Sequence, residues 1–270
     1  MDERSMAQLI KIRQCVSRYQ IDLPGYAGRF VWLKSRRLAE WKEERGLQDT
    51  DRSLSGAKDT TLPADPERLF YEWLFEEQLD WATRTADKHS PCPNEVHGQN
   101  WLKKILRAVN DVSFVLYCPV LLSKSAAVQL DSLLITNDTI WCIKPLIGEE
   151  GSVFQEVSAR KWREILTGSV RERLNPLISL VRTESVVSSL MSNLGIKMKT
   201  AGAVFAPESY IEFVHRKPDI RCIDLRSKRD WYEELSAHSL MLKKEQITAA
   251  ETLLAHSETD AEMRFQDAGI

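Results

Sequence analysis

Two apolar runs, VQLDSLLI (128–135) and TIWCIKPL (139–146), stand either side of Thr136-Asn137-Asp138. β-Branched and large apolar residues crowd both runs, and the residues between them are turn formers, so the stretch reads as a β-hairpin. Side chains alternate along a strand. Gln129 and Asp131 therefore share one face of the first strand, and Cys142 and Lys144 share one face of the second. Folding the hairpin brings Asp131 and Lys144 to the same edge of a sheet, an acid and a base where a metal and a water could meet. Without a metal the two would form a partly buried salt bridge, which stabilises little but is costly to break singly.

The surroundings of the hairpin set its architecture. Asn94 is placed to cap a helix, EVHGQNWLKKILRAV, whose buried side is Val96, Trp101, Leu102, Ile105 and Leu106. SFVLYCPVLL (113–122) follows as a strand, and after the hairpin GEEGSV (148–153) turns into a fourth strand at 153–158. A polar stretch opens at Arg160-Lys161-Trp162, and Asn175-Pro176 starts a long helix. Gly202–Phe205 reads as a late core strand, Tyr210–Val214 and Ile220–Leu225 as edge strands, and Lys228–His238 and Lys243–His256 as helices.

This order, carrying Gln129-Leu130-Asp131, then Lys144, then Asn175-Pro176, resembles the nuclease-related domain (NERD) family, a branch of the PD-(D/E)XK nuclease superfamily. The resemblance covers about residues 95–215. It implies an α/β fold with a restriction-endonuclease-like mixed central sheet flanked by helices. In the family a Gln-x-Asp strand leads through a turn to a strand ending Glu-x-Lys. Gln129, Asp131 and Lys144 match as catalytic positions, whereas Cys142 stands where the glutamate belongs. Two further positions depart. Gln99 replaces the glutamate of a Gly-Glu pair, and Ser179 replaces a glutamine on the Asn-Pro helix, where Arg182 does match.

The family chemistry is phosphodiester hydrolysis with Mg²⁺ or Mn²⁺ on oxygen ligands, here Asp131, the missing glutamate and the Ile143 carbonyl. Cys142 cannot substitute: a thiol is mostly protonated at neutral pH, and its thiolate is a soft ligand. Cys142 then reads as a small packing residue. Glu95, on the helix facing the hairpin, is the candidate rescuing carboxylate, which would make Asp131 and Glu95 the metal ligands. The expectation is a degenerate metal centre with no cofactor, retained for binding DNA or RNA or for assembly. The alternative is an active Mg²⁺- or Mn²⁺-dependent nuclease using Asp131, Lys144 and Glu95. A protein-interaction module is the third reading.

Composition limits the partners. The net charge of −2 is not that of a protein that coats nucleic acid. Arg160, Lys161, Arg163, Arg171 and Arg173 nevertheless crowd the segment before the Asn-Pro helix and could, with Arg182, contact phosphates; Glu156, Glu164 and Glu172 interleave with them. The five cysteines are scattered with no CxxC pair, which argues against a disulfide framework or a structural zinc site. No apolar run is long enough to span a membrane, and the expected setting is the cytoplasm.

The remaining segments divide the chain. Residues 1–46 read as a helical hairpin, with helices at 4–21 and 27–44 resembling the helical leaders of some bacterial NERD proteins. Residues 47–66 are polar and read as a linker or mobile loop. PERLFYEWLFEEQLDWATRTA (66–86) is an amphipathic helix whose Leu69, Phe70, Trp73, Leu74 and Trp81 could dock on another domain, bind a protein partner or support self-association. It lies within a 67–94 segment, and Ser90–Asn94 reads as the boundary of a 95–256 nuclease-like domain with C-terminal helices. Residues 257–270 read as a frayed polar tail.

Overall fold

The computed structural model describes residues 5–55, 66–123, 126–212, 220–237 and 241–264. The chain opens with β1 (Gln8–Ile12), α1 (Leu23–Ser55), α2 (Pro66–Trp81), β2 (Lys88–His89), α3 (Asn94–His97) and α4 (Asn100–Ala108). Strands β3 (Phe114–Tyr117), β4 (Val120–Ser123), β5 (Ala126–Gln129), β6 (Ser132–Ile135) and β7 (Thr139–Pro145) follow. Next come β8 (Val153–Glu156), β9 (Lys161–Leu166), β10 (Ser169–Leu174), α5 (Leu177–Asn193) and β11 (Lys199–Phe205). The chain ends with β12 (Tyr210–Glu212), β13 (Ile220–Ile223), α6 (Lys228–Ser236), α7 (Lys244–Ala255) and β14 (Glu262–Met263).

The central sheet has the order β1-β3-β6-β7-β11-β13. Strands β1, β3, β7, β11 and β13 run parallel to one another, and β6 alone runs the other way. The expected hairpin is β6–β7, with Leu133 opposite Cys142 and Ser132 opposite Ile143. Helix α5 packs on one face of β7 and β11. On the other face Trp231 of α6 meets Trp141 and Phe205, at ring-centroid distances of 6.0 and 5.2 Å. A second sheet, β10-β9-β8-β12, lies beside the first. The mixed sheet flanked by helices agrees with the α/β expectation.

Several local expectations are corrected. Residues 8–12 form strand β1, not a helix, so residues 1–46 are not a helical hairpin. QLIKI is buried along its whole length, and a short strand covered on both faces shows the same unbroken apolar run as a buried helix. Even Lys11 is enclosed, its ammonium donating to the Cys15 carbonyl at 2.6 Å, Thr259 Oγ1 at 3.0 Å and Gln20 Oε1 at 3.2 Å. Helix α1 runs on to Ser55 through much of the expected linker, because polar residues inside a helix cost only tenths of a kcal/mol each. The rest of that linker lies outside the described residues.

The helix expected from Asn94 breaks at Gly98-Gln99 into α3 and α4, and Pro93 rather than Asn94 holds the cap position. The strand expected at 113–122 breaks into β3 and β4, and that at 127–135 into β5 and β6. The polar stretch after Arg160 forms a strand, β9, which pairs with the fourth strand, β8, in the second sheet. The C-terminal segment is stapled as far as Arg264. Glu258, Asp260 and Arg264 donate backbone N–H groups to the carbonyls of Val120, Gln14 and Asp87, at 2.7, 2.7 and 2.8 Å. One apolar core runs from Met6 to Leu254 across the expected boundary at 90–94, and α2 packs into it against β1.

Candidate active site

The parallel strands all end at one edge of the central sheet, the usual place for a site in open α/β sheets. Just past the ends of β1 and β3, Arg13 and Cys118 adopt left-handed backbone at φ 42° and 45°, a conformation that non-glycine residues rarely hold away from functional or tightly determined turns. At the same edge the chain passes from β5 to β6 through Leu130-Asp131. Leaving the ladder frees two backbone donors. Leu130 N–H goes to the Pro119 carbonyl at 2.9 Å, and Asp131 N–H to Thr183 Oγ1 on α5, also at 2.9 Å.

Asp131 meets Lys144 as the hairpin predicts, with Nζ donating to Oδ1 at 3.0 Å. The Asp131 side chain is 8% exposed and that of Lys144 33%, so the acid is buried and the lysine partly open to water. Thr183 also donates to Asp131 Oδ2 at 3.4 Å. Below this row, Cys142 is fully buried. Burial pushes its thiol well above the usual range, and the nearby carboxylates of Glu184 and Asp131 push the same way. The thiol stays protonated and is no metal ligand.

Glu184 is the residue that the sequence reading missed. It stands next to Thr183 on α5, and its carboxylate lies over Gly202, the β11 partner of Cys142. A Cβ at Gly202 would sit 3.1 Å from the Glu184 carboxylate carbon, so the glycine leaves room for the acid. A carboxylate thus lies over the strand neighbour of Cys142, close enough to act on its thiol, where the Glu-x-Lys pattern lacks one. The signal was present on the helix. Leu180, Val187 and Met191 are its buried stripe, and Glu184 sits within that spacing as an acid on an apolar face.

The other candidate residues fall elsewhere. Glu95 pairs with Arg13. Gln99 is the N-cap residue of α4 and accepts from Trp101 Nε1 at 2.7 Å. Ser179 donates to the Pro176 carbonyl at 3.3 Å. Gln129 is exposed on β5, and its carbonyl accepts from Arg182 at 3.2 Å. Most of the basic cluster lies on β9 and β10, and three of its charges are paired. Lys161 pairs with Glu172 at 2.9 Å, Arg171 with Glu149 at 2.7 Å, and Arg173 with Glu164. Arg163 donates to Gln155 Oε1 at 2.7 Å, and Arg160 is exposed.

Among the described residues no group of three or more His, Cys, Asp and Glu side chains is arranged to hold a metal ion, and no helix is long and apolar enough to cross a membrane. No family model, curated protein or solved structure matches the chain. The edge itself offers two carboxylates, a lysine one-third exposed, and a protonated thiol.

Proposed function

We propose that this chain is a nuclease-like protein that acts on phosphodiesters, with Asp131, Glu184 and Lys144 as its working residues on a restriction-endonuclease-like sheet. The observation that carries the reading is the Glu184 carboxylate over Gly202 and Cys142. It brings a second acid, from a helix rather than from the strand, to the thiol that Asp131 also approaches. The helix–strand–hairpin order and the Asp131–Lys144 contact support the same reading.

The donor set suits a hard divalent cation, because Asp131 and Glu184 offer oxygen and Cys142 stays protonated. Mg²⁺ or Mn²⁺ held by those two acids would supply Lewis-acid polarisation and a more acidic water. Lys144 is placed to offset charge that develops on the phosphoryl oxygens, and the Thr183 hydroxyl fixes the backbone and carboxylate of Asp131. The test is cleavage of single- and double-stranded DNA and RNA with each cation. Asp131→Ala and Glu184→Gln should each lower the rate about a hundredfold or more. Cleavage that Glu184→Gln leaves untouched would remove Glu184 from the site.

A second reading has its own observation. The Asp131–Lys144 ion pair is satisfied with no metal at all, as a scaffold kept for nucleic-acid binding or assembly would have it. A wild-type chain without activity that Cys142→Glu awakens would decide for that reading.

A further inference from the structure

Away from the sheet edge, a surface cleft of about 460 Å³ opens between α1, the end of α2 and the C-terminal segment. That is within the range of small-ligand sites, about 300–1,000 Å³. Its lining holds three aromatic side chains, Tyr26, Trp32 and Trp81, and three arginines, Arg18, Arg29 and Arg264, with no acid among them. In a chain with a net charge of −2, such a lining is a local reversal of sign.

The parts differ in how far they are already satisfied. Trp81 is 7% exposed and forms the floor, meeting Tyr26 edge to face at 5.8 Å. Arg18 lies 5.2 Å over the Trp81 ring and is neutralised by Asp80 at 2.8 Å. Arg29 lies 5.0 Å over Tyr26, and Arg264 donates to the Thr85 carbonyl at 3.3 Å. Among the described residues neither Arg29 nor Arg264 has a carboxylate within ion-pair distance. Trp32, on the α1 face shared with Arg29, leaves 60% of its surface in water, with the Arg36 guanidinium 5.4 Å over its ring. Two uncompensated guanidinium groups beside an exposed indole suit a flat ring that bears an anionic substituent.

We propose that this cleft binds a phosphate-bearing nucleobase, either an unpaired nucleotide of a single strand or a free nucleotide. The base stacks on Trp32, and Arg29 and Arg264 hold the phosphate. The site is independent of the acid–lysine edge: it would bind without cleaving, and its loss would leave hydrolysis of small phosphodiesters intact.

The experiment is fluorescence anisotropy of a short labelled oligothymidylate at low salt, with unlabelled AMP, adenosine and inorganic phosphate as competitors. Salt-weakened, saturable binding is expected. Trp32→Ala should weaken it roughly tenfold and Trp32→Phe much less, whereas Arg29→Glu should weaken it at least as much as Trp32→Ala. Asp131→Ala, at the other site, should bind as the wild type does. Displacement by AMP but not by adenosine or phosphate identifies a free nucleotide as sufficient, and displacement only by unlabelled oligonucleotide identifies the strand. The Trp32 and Arg29 variants alter exposed side chains, and circular dichroism checks their folding. No saturable binding at low salt, or binding indifferent to both Trp32→Ala and Arg29→Glu, would overturn the proposal.

Discussion

Glu164 and Asp131 are both buried acids facing a cation, yet their surroundings differ in kind. Glu164 is 0% exposed and fully engaged. Arg173 donates to it through Nε at 2.9 Å and through its terminal nitrogen, and Glu149 N–H donates at 3.0 Å. Asp131 has Lys144 at 3.0 Å and a longer contact to Thr183, and it lies with a second acid, Glu184, near the same thiol. Each setting contains a glycine. Gly148 makes room for Glu164, and Gly202 makes room for Glu184. A buried carboxylate with every lone pair engaged holds a fold together. One left partly engaged, beside another acid, keeps capacity for a ligand.

The sharpest break of this contrast is Glu164→Ala. It strands the Glu149 N–H and the Arg173 guanidinium, and because Arg173 is 40% exposed water recovers part of the loss. The expected destabilisation is about 3 kcal/mol by chemical denaturation. Burial alone would raise the Glu164 pKa, but the Arg173 and Glu149 hydrogen bonds outweigh it and hold the carboxyl below its ordinary value. The unfolded state therefore binds the proton more readily. The stabilisation is complete above the unfolded carboxylate pKa and disappears as pH falls through the lower folded value. Wild-type and Glu164→Ala stabilities should converge in acid; a constant gap would mean that Glu164 does not carry the charge effect.

Gly148→Ala attacks the same acid from the backbone. A Cβ there would stand 2.5 Å from Glu164 Oε1 and 2.8 Å from both Phe154 Cζ and Ser152 Oγ. The carboxylate cannot withdraw without releasing Arg173, so overpacking should cost about 2 kcal/mol in denaturant melts. A cost near zero would show that the β7–β8 connection is softer than its contacts suggest. Asp131→Asn should cost only about 1 kcal/mol, because the amide still accepts from Lys144, whose side chain is one-third exposed. Cleavage should nevertheless fall at least as far as in Glu184→Gln. Equal stability losses in Asp131→Asn and Glu164→Ala would erase the distinction between the two acids.

Much of the edge was legible in the sequence because it is local. The Thr136-Asn137-Asp138 turn and the two-residue alternation of its strands place Asp131 opposite Lys144. The burial of Cys142 followed from its place mid-strand. Strand β1 was not legible, since QLIKI is covered on both faces and its pairing with β3 spans more than a hundred residues. Glu184 was legible only in part: the α5 spacing marks an acid on an apolar face, but not that the face packs over Gly202 beside Cys142. Glu95 was chosen by helical phase, and the break at Gly98-Gln99 and the Arg13 partner removed the basis for that choice.

The smallest expected effect on stability separates fold from chemistry most finely. In Gly202→Ala the new methyl would lie 3.1–3.3 Å from the carboxylate end of Glu184, tighter than ordinary contact by a few tenths of an ångström. That end is the flexible part of the side chain and can swing aside. Alanine also suits a strand better than glycine, so the two terms nearly cancel and the melt should move by about 0.5 kcal/mol or less. The displaced carboxylate should still lower metal-dependent cleavage, by roughly tenfold, if Glu184 works at the edge. Gly202→Ala with unchanged cleavage would assign Glu184 to packing. Lost cleavage with an unchanged melt would mean that Gly202 is kept for the acid above it, as Gly148 is kept for Glu164.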